Sequence, residues 1–116
     1  MATPQKNFSE EEIEQVWQKA IPQQNNDPNV YRKDYAGAWI RRVDYGRQTE
    51  YGWEIDHVRP LSLDGSHNIS NLLPLQWQNN LEKSDDFPQW NTKMTSKGVH
   101  NEEEIQSWRV NPENYA

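Results

Sequence analysis

The chain has 116 residues, a formal net charge of -6 and no cysteine. Such a length fits a single domain, and the lack of cysteine excludes disulfides, a cysteine-ligated zinc centre and a thiol nucleophile. Hydrophobic residues make up only 33% of the chain, so the core is small and leans on aromatic bulk, each buried ring removing roughly 150–250 Å² from water.

In chain order, FSEEEIEQVWQKA predicts a helix over about 9–20. Ser9 caps it, Glu12 completes a capping box, and Ile13, Val16, Trp17 and Ala20 recur on one face. Pro22 ends it, and the turn formers of PQQNNDPN read as a loop. AWIRRVDY, between Gly37 and Gly46, reads as a strand or a helix-strand mixture. WEIDHVRP reads as a strand closed by Pro60, and LSLDGSHNIS as a loop turning at Asp64-Gly65. NLLPLQWQNNLEKS reads as a helix with Pro74 in its first turn, where proline is tolerated. DDFPQWNTKMTSKG reads as irregular surface chain. NEEEIQSWRV reads as a short amphipathic helix over about 101–109, with Ile105 and Trp108 inward. Trp39, Trp53 and Trp77 are expected in the core.

Acidic residues crowd both ends: Glu10, Glu11, Glu12 and Glu14 at one, Glu102, Glu103, Glu104 and Glu113 at the other. Between residues 31 and 60 six Lys and Arg face five acids. The centre is therefore near neutral to slightly basic, which leaves room for a phosphate-binding groove that the net charge alone argues against. No window approaches the roughly 18 apolar residues of a membrane span. The first residues lack the apolar stretch of a secretory signal. A soluble cytoplasmic protein without a membrane partner is expected.

The segment YGWEIDHVRPLS sets Asp56 beside His57, between the β-branched Ile55 and Val58. A hydrophobic core has no use for a carboxylate next to an imidazole; a site that activates water has. Asn71 and Asn80 follow 14 and 23 positions after His57, and Lys83 three positions later. Taken together, Asp56-His57, Pro60, Gly65, Asn71-Leu72, Leu75, Asn80 and Lys83 resemble the motif of the HNH endonuclease family. The resemblance spans residues 53–86, and it is carried by the whole string rather than by any one part.

The resemblance implies an α+β fold. A ββα-metal core over about 51–86 would be flanked by the helices at about 9–20 and 101–109, in one domain of residues 1–116. It implies a metal-dependent endonuclease that hydrolyses DNA phosphodiester bonds, with RNA the other open substrate and one divalent ion, Mg²⁺ or else Mn²⁺, as cofactor. His57 matches the general base, suited to that task near neutral pH. Asp56 matches the carboxylate on the ion. Asn80 takes the final position, where many members carry His, and its amide oxygen favours Mg²⁺ or Mn²⁺ over softer ions. Asn71 matches the asparagine that braces the loop, and it is also a favoured helix N-cap. Arg59 and Lys83 stand as phosphate contacts or as solvated charges. Glu54 shares the Asp56 side of a regular strand and is a further acid near the metal. His67 and His100 read as surface residues without a role. Many members stabilise this unit with a Cys₄ zinc cluster, which here must be replaced by aromatics and flanking helices. A single module buries only about 600–1,000 Å² on nucleic acid, so a homodimer or a protein partner would supply specificity. The alternative is a catalytically silent module that keeps the fold and binds nucleic acid or a protein.

Overall fold

Ser9 starts the first helix as its spacing requires. Its hydroxyl accepts from the Glu12 N–H at 3.1 Å, and Glu12 Oε1 accepts from the Ser9 N–H at 2.9 Å, which satisfies two otherwise orphaned donors. The structure, a computed structural model, describes residues 8–116, and residues 1–7 of the expected domain lie outside them. Helix α1 runs Glu10–Trp17. It is shorter than the expected span, because residues 18–20 turn away to begin a small sheet. Ile13, Val16 and Trp17 are buried on its inner face, and the Trp17 ring meets Trp53 with centroids 5.4 Å apart. Ile40, Ile55 and Leu72 complete that cluster.

Strands β1 (Ile21–Pro22), β2 (Tyr31–Lys33) and β3 (Trp39–Arg41) form an antiparallel sheet in that order. A short 3₁₀ turn, Arg42–Asp44, follows β3, so AWIRRVDY is indeed a mixture. Asp34, in the β2–β3 connection, is fully buried. Its carboxylate accepts from the N–H groups of Ala36, Ala38 and Gln76 and from Asn79 Nδ2, at 2.9–3.0 Å.

Strand β4 (Trp53–His57) pairs antiparallel with β5 (Leu72–Gln76), with Asp56 opposite Leu73 and His57 opposite Leu72. Helix α2 (Trp77–Lys83) follows without a break. Here the expected helix over NLLPLQWQNNLEKS divides. Its first five residues after Asn71 are strand, and Pro74 sits in that strand opposite Ile55. A two-stranded sheet leaves β5 an edge, where a missing N–H is tolerated. The helix begins only at Trp77, because the Gln76 side chain caps it by accepting from Gln78 N and Asn79 N at 2.9 and 3.2 Å. Trp53 is fully buried and Trp39 nearly so. Trp77 is instead half-exposed, with its indole N–H donating to the Thr49 carbonyl at 2.7 Å.

The last third departs from expectation. Residues read as irregular form β6 (Gln89–Lys97), and the expected C-terminal helix is β7 (His100–Arg109). The two make an antiparallel hairpin with Lys97 opposite His100. Gly98 supplies a positive φ of 60° at the first turn residue, which suits a two-residue hairpin. Long-range pairing outweighs the helix propensity of the glutamate run. Trp108 is half-buried edge-on against Tyr35 at 5.0 Å, but Ile105 points outward and is exposed. The acids of residues 102–104 lie on an exposed strand rather than a helix face. Asn79 ties the hairpin to α2. Its Oδ1 accepts from Lys93 N and Met94 N at 2.8 and 2.6 Å, and its Nδ2 donates to Met94 O at 2.9 Å. The whole is a mixed α/β fold of small antiparallel sheets and, among the described residues, two α-helices. No helix among those residues is long and apolar enough to cross a membrane.

Candidate active site

Alternation along β4 sends Trp53 and Ile55 into the cluster beneath α1 and turns Asp56 to the opposite side, toward α2. Asp56 is buried, 6% exposed. Lys83 Nζ, from the last turn of α2, stands 3.4 Å from Asp56 Oδ2. That is an ion-pair distance without hydrogen-bond geometry, and Oδ2 makes no hydrogen bond. Burial pushes the Asp56 carboxyl up to about 7, partly offset by the Lys83 charge.

His57 is half-buried at the end of β4. Its Nε2 lies 3.1 Å from Nδ1 of His67. Burial lowers its pKa below the ordinary imidazole value, and the neighbouring His67 and Lys83 add to the effect. The ring is thereby favoured in its neutral, proton-accepting form.

The loop between β4 and β5 closes on Asn71, which is fully buried. Asn71 Oδ1 accepts from Arg59 N at 2.9 Å, and its Nδ2 donates to Arg59 O at 3.0 Å and to Ser66 O at 2.8 Å. Gly65 is needed in this loop for close approach: a Cβ there would meet the Arg59 carbonyl oxygen at 1.7 Å. The left-handed residue of the turn is its neighbour Asp64, at φ 64°.

Asn80, on α2, has a side-chain amide without a protein partner among the described residues. Asp56, His57 and Asn80 line one open cleft of about 390 Å³, with Ser62, Ser84 and Asp85 also in its wall. The sequence-predicted trio is thus brought together. Glu54 is not part of that wall. It is 5% exposed, neither carboxylate oxygen is hydrogen-bonded, and burial pushes it up to about 7.

The two expected phosphate contacts are placed differently. Lys83 is fully buried rather than solvated. Its ammonium donates to Val58 O at 3.0 Å, approaches His57 O at 3.4 Å and lies 4.9 Å over the Trp90 ring. Reaching a phosphate would require it to leave all of these. Arg59 donates to Tyr115 O at 2.6 Å and Pro112 O at 3.1 Å, and stacks over Phe87. It clasps the C-terminal turn to the loop. Other central cations are also engaged: Arg32 binds the carbonyls of Pro28 and Ala20, Arg41 pairs with Asp44, and Arg42 with Glu14.

Two residues lie closer to the candidate site than their sequence context suggests. His67 is exposed yet touches His57, and the only signal was a second imidazole in the loop that Asn71 closes. Asp85 adds a carboxylate just past α2, where the Ser-Asp-Asp run was the signal.

No group of three or more His, Cys, Asp or Glu side chains is gathered as for a metal ion among the described residues. Oxygen-bearing side chains in the cleft wall come from Asp56, Asp85, Asn80, Ser62 and Ser84. Asp56 and the free Asn80 amide share the wall of a roomy cleft, a donor set that fits a hard divalent ion keeping several waters, although Asp56 Oδ2 itself is sealed from solvent beside Lys83. Compared with known families, curated proteins and solved structures, the chain matches none.

Proposed function

We propose that the chain is a metal-dependent endonuclease of the HNH type, a ββα-metal enzyme that hydrolyses DNA phosphodiester bonds. One observation carries this reading: Asp56, His57 and Asn80 share the wall of a single open cleft. Asp56 and Asn80 would hold one Mg²⁺ or Mn²⁺, whose charge, when bound, offsets the negative charge that builds on the phosphate. His57 takes a proton from a water molecule, and that water attacks phosphorus opposite the 3′ oxygen. The P–O3′ bond breaks and the leaving oxygen takes a proton from solvent water, giving a 5′-phosphate and a 3′-hydroxyl. Asn71 holds the loop that carries the residues around His57, so the base keeps its place without ordering at each turnover. Arg32, Arg41, Arg42, Arg59 and Lys83 are engaged within the fold, so contact with DNA is narrow, and a second copy or a protein partner supplies selectivity.

The test is nicking of supercoiled plasmid in Mg²⁺, Mn²⁺ or EDTA. Cleavage is expected with either metal, none in EDTA, and a loss of at least about 100-fold in His57→Ala, the scale of a general base. Equal nicking by the variant would overturn the assignment.

A second reading has its own observation. The Lys83 ammonium already neutralises Asp56 from 3.4 Å, so a silent module could keep this fold without an ion. No cleavage in any metal, with no thermal stabilisation by Mg²⁺ or Mn²⁺, would favour it.

A further inference from the structure

We propose that His67, held by Glu12 and Phe8, is a positioning residue that keeps the ring hydrogen of His57 on Nε2 and so leaves Nδ1 as its basic nitrogen. The inference rests on the hydrolytic reading above and deepens it.

The starting point is the approach of His57 Nε2 to His67 Nδ1, 3.1 Å apart. Two neutral imidazoles that meet nitrogen to nitrogen share one hydrogen: one nitrogen donates and the other offers its lone pair. The direction follows from the far side of His67. There Nε2 faces Glu12 Oε2 at 4.0 Å, an ion-pair separation rather than a hydrogen bond. An ionised carboxylate only accepts, so it favours the hydrogen of His67 on Nε2. Its Nδ1 then carries a lone pair, and His57 Nε2–H donates to it. The lone pair of His57 falls on Nδ1, which has no protein partner among the described residues. The reverse arrangement would set a lone pair against the carboxylate and leave His57 with N–H at Nδ1, unable to accept a proton there.

The parts are anchored independently. Glu12 Oε1 is occupied by the Ser9 N–H in the capping box, which leaves Oε2 for His67. The Phe8 ring stacks on His67 at 4.7 Å and 10°, fixing the plane of the second imidazole. Asn71 holds the carbonyl of Ser66, the preceding residue, at 2.8 Å. The N-terminal helix, which the sequence presents only as a core element, therefore also sets the orientation of the base.

The test uses the full chain, ¹⁵N-labelled at histidine, in Mg²⁺ at about pH 8.5, well above the ordinary imidazole value of about 6.5. Long-range ¹H–¹⁵N spectra should show His57 protonated at Nε2. His67→Phe keeps a ring on Phe8 but removes the acceptor. It should give mixed tautomers at His57 and lower the kcat of plasmid nicking roughly 10- to 100-fold, part of what a general base supplies, with KM little changed. His67→Asn returns an acceptor oxygen near the Nδ1 position and should recover most of that loss. A His57 hydrogen found on Nδ1 in the unaltered protein, or an undiminished kcat in His67→Phe, would overturn the inference. The spectra do not depend on turnover. Failure of the unaltered chain to cut DNA would therefore strike the hydrolytic reading, and the tautomer result would still decide the positioning.

Discussion

Lys83 Nζ and Asp56 Oδ2 stand 3.4 Å apart, and both side chains are buried. Removing one member of a buried pair leaves the other charge uncompensated, at a cost of about 3–5 kcal/mol. Lys83→Met and Asp56→Asn should each destabilise the chain to urea at a pH well above 7, where the Asp56 carboxyl, raised to about 7, is ionised in the unaltered protein. The double variant should cost less than the two singles together, because it leaves no lone charge. Additive effects in that cycle would show that the two side chains do not sense each other.

Two glycine exchanges should act with opposite sign. Gly65→Ala forces a Cβ to within 1.7 Å of the Arg59 carbonyl oxygen and should cost about 2–3 kcal/mol, the upper range for overpacking. Ser84, the C-cap of α2, has φ 50° and ψ -136°, a region that glycine enters freely and serine does not. Ser84→Gly should therefore stabilise by about 1 kcal/mol. Thermal melts of both variants decide the matter, and a destabilised Ser84→Gly would contradict the strain argument.

Asp34 supplies the pH dependence. Burial raises its carboxyl to about 6 from 3.8, against the pull of its four donors. Between these values the folded chain holds a proton that the unfolded chain has released. The stability from this group is complete below 3.8 and is lost as pH climbs through about 6. The shift corresponds to on the order of 3 kcal/mol. The stability gap between the unaltered protein and Asp34→Asn should narrow by about that amount from pH 3.5 to about pH 7. A gap that stays constant would mean that folded and unfolded chains titrate this carboxyl alike, and a gap that widens with pH would mean that it is ionised throughout in the folded chain.

The placing of the candidate site residues on neighbouring elements was legible because it depends on local order. The Asp-His pair, the proline and the paired asparagines lie on adjoining elements, β4, the loop and α2. The capping box of α1 is equally local. What escaped was long-range. The run NEEEIQSW has helical propensity, and only the ladder to β6 makes it a strand. The alternation Trp90, Thr92, Met94, all buried, was present in the sequence but stood in a polar context without an evident partner. Lys83 looked like a surface charge because nothing in the chain announces the carbonyls of His57 and Val58 that receive it. Asn79, one position before the expected ligand Asn80, looked like one asparagine among many, yet it joins Asp34 to the hairpin.

The clasp of Arg59 on Pro112 and Tyr115 bears on the order in which the molecule assembles. Arg59 and Tyr115 are 56 residues apart in the chain, and closing so long a loop is an entropic cost met late in folding. The hairpin must form and deliver residues 112–115 before the loop beside His57 gains these restraints. On a ribosome, that leaves the loop beside His57 without these restraints until residues 112–115 have emerged.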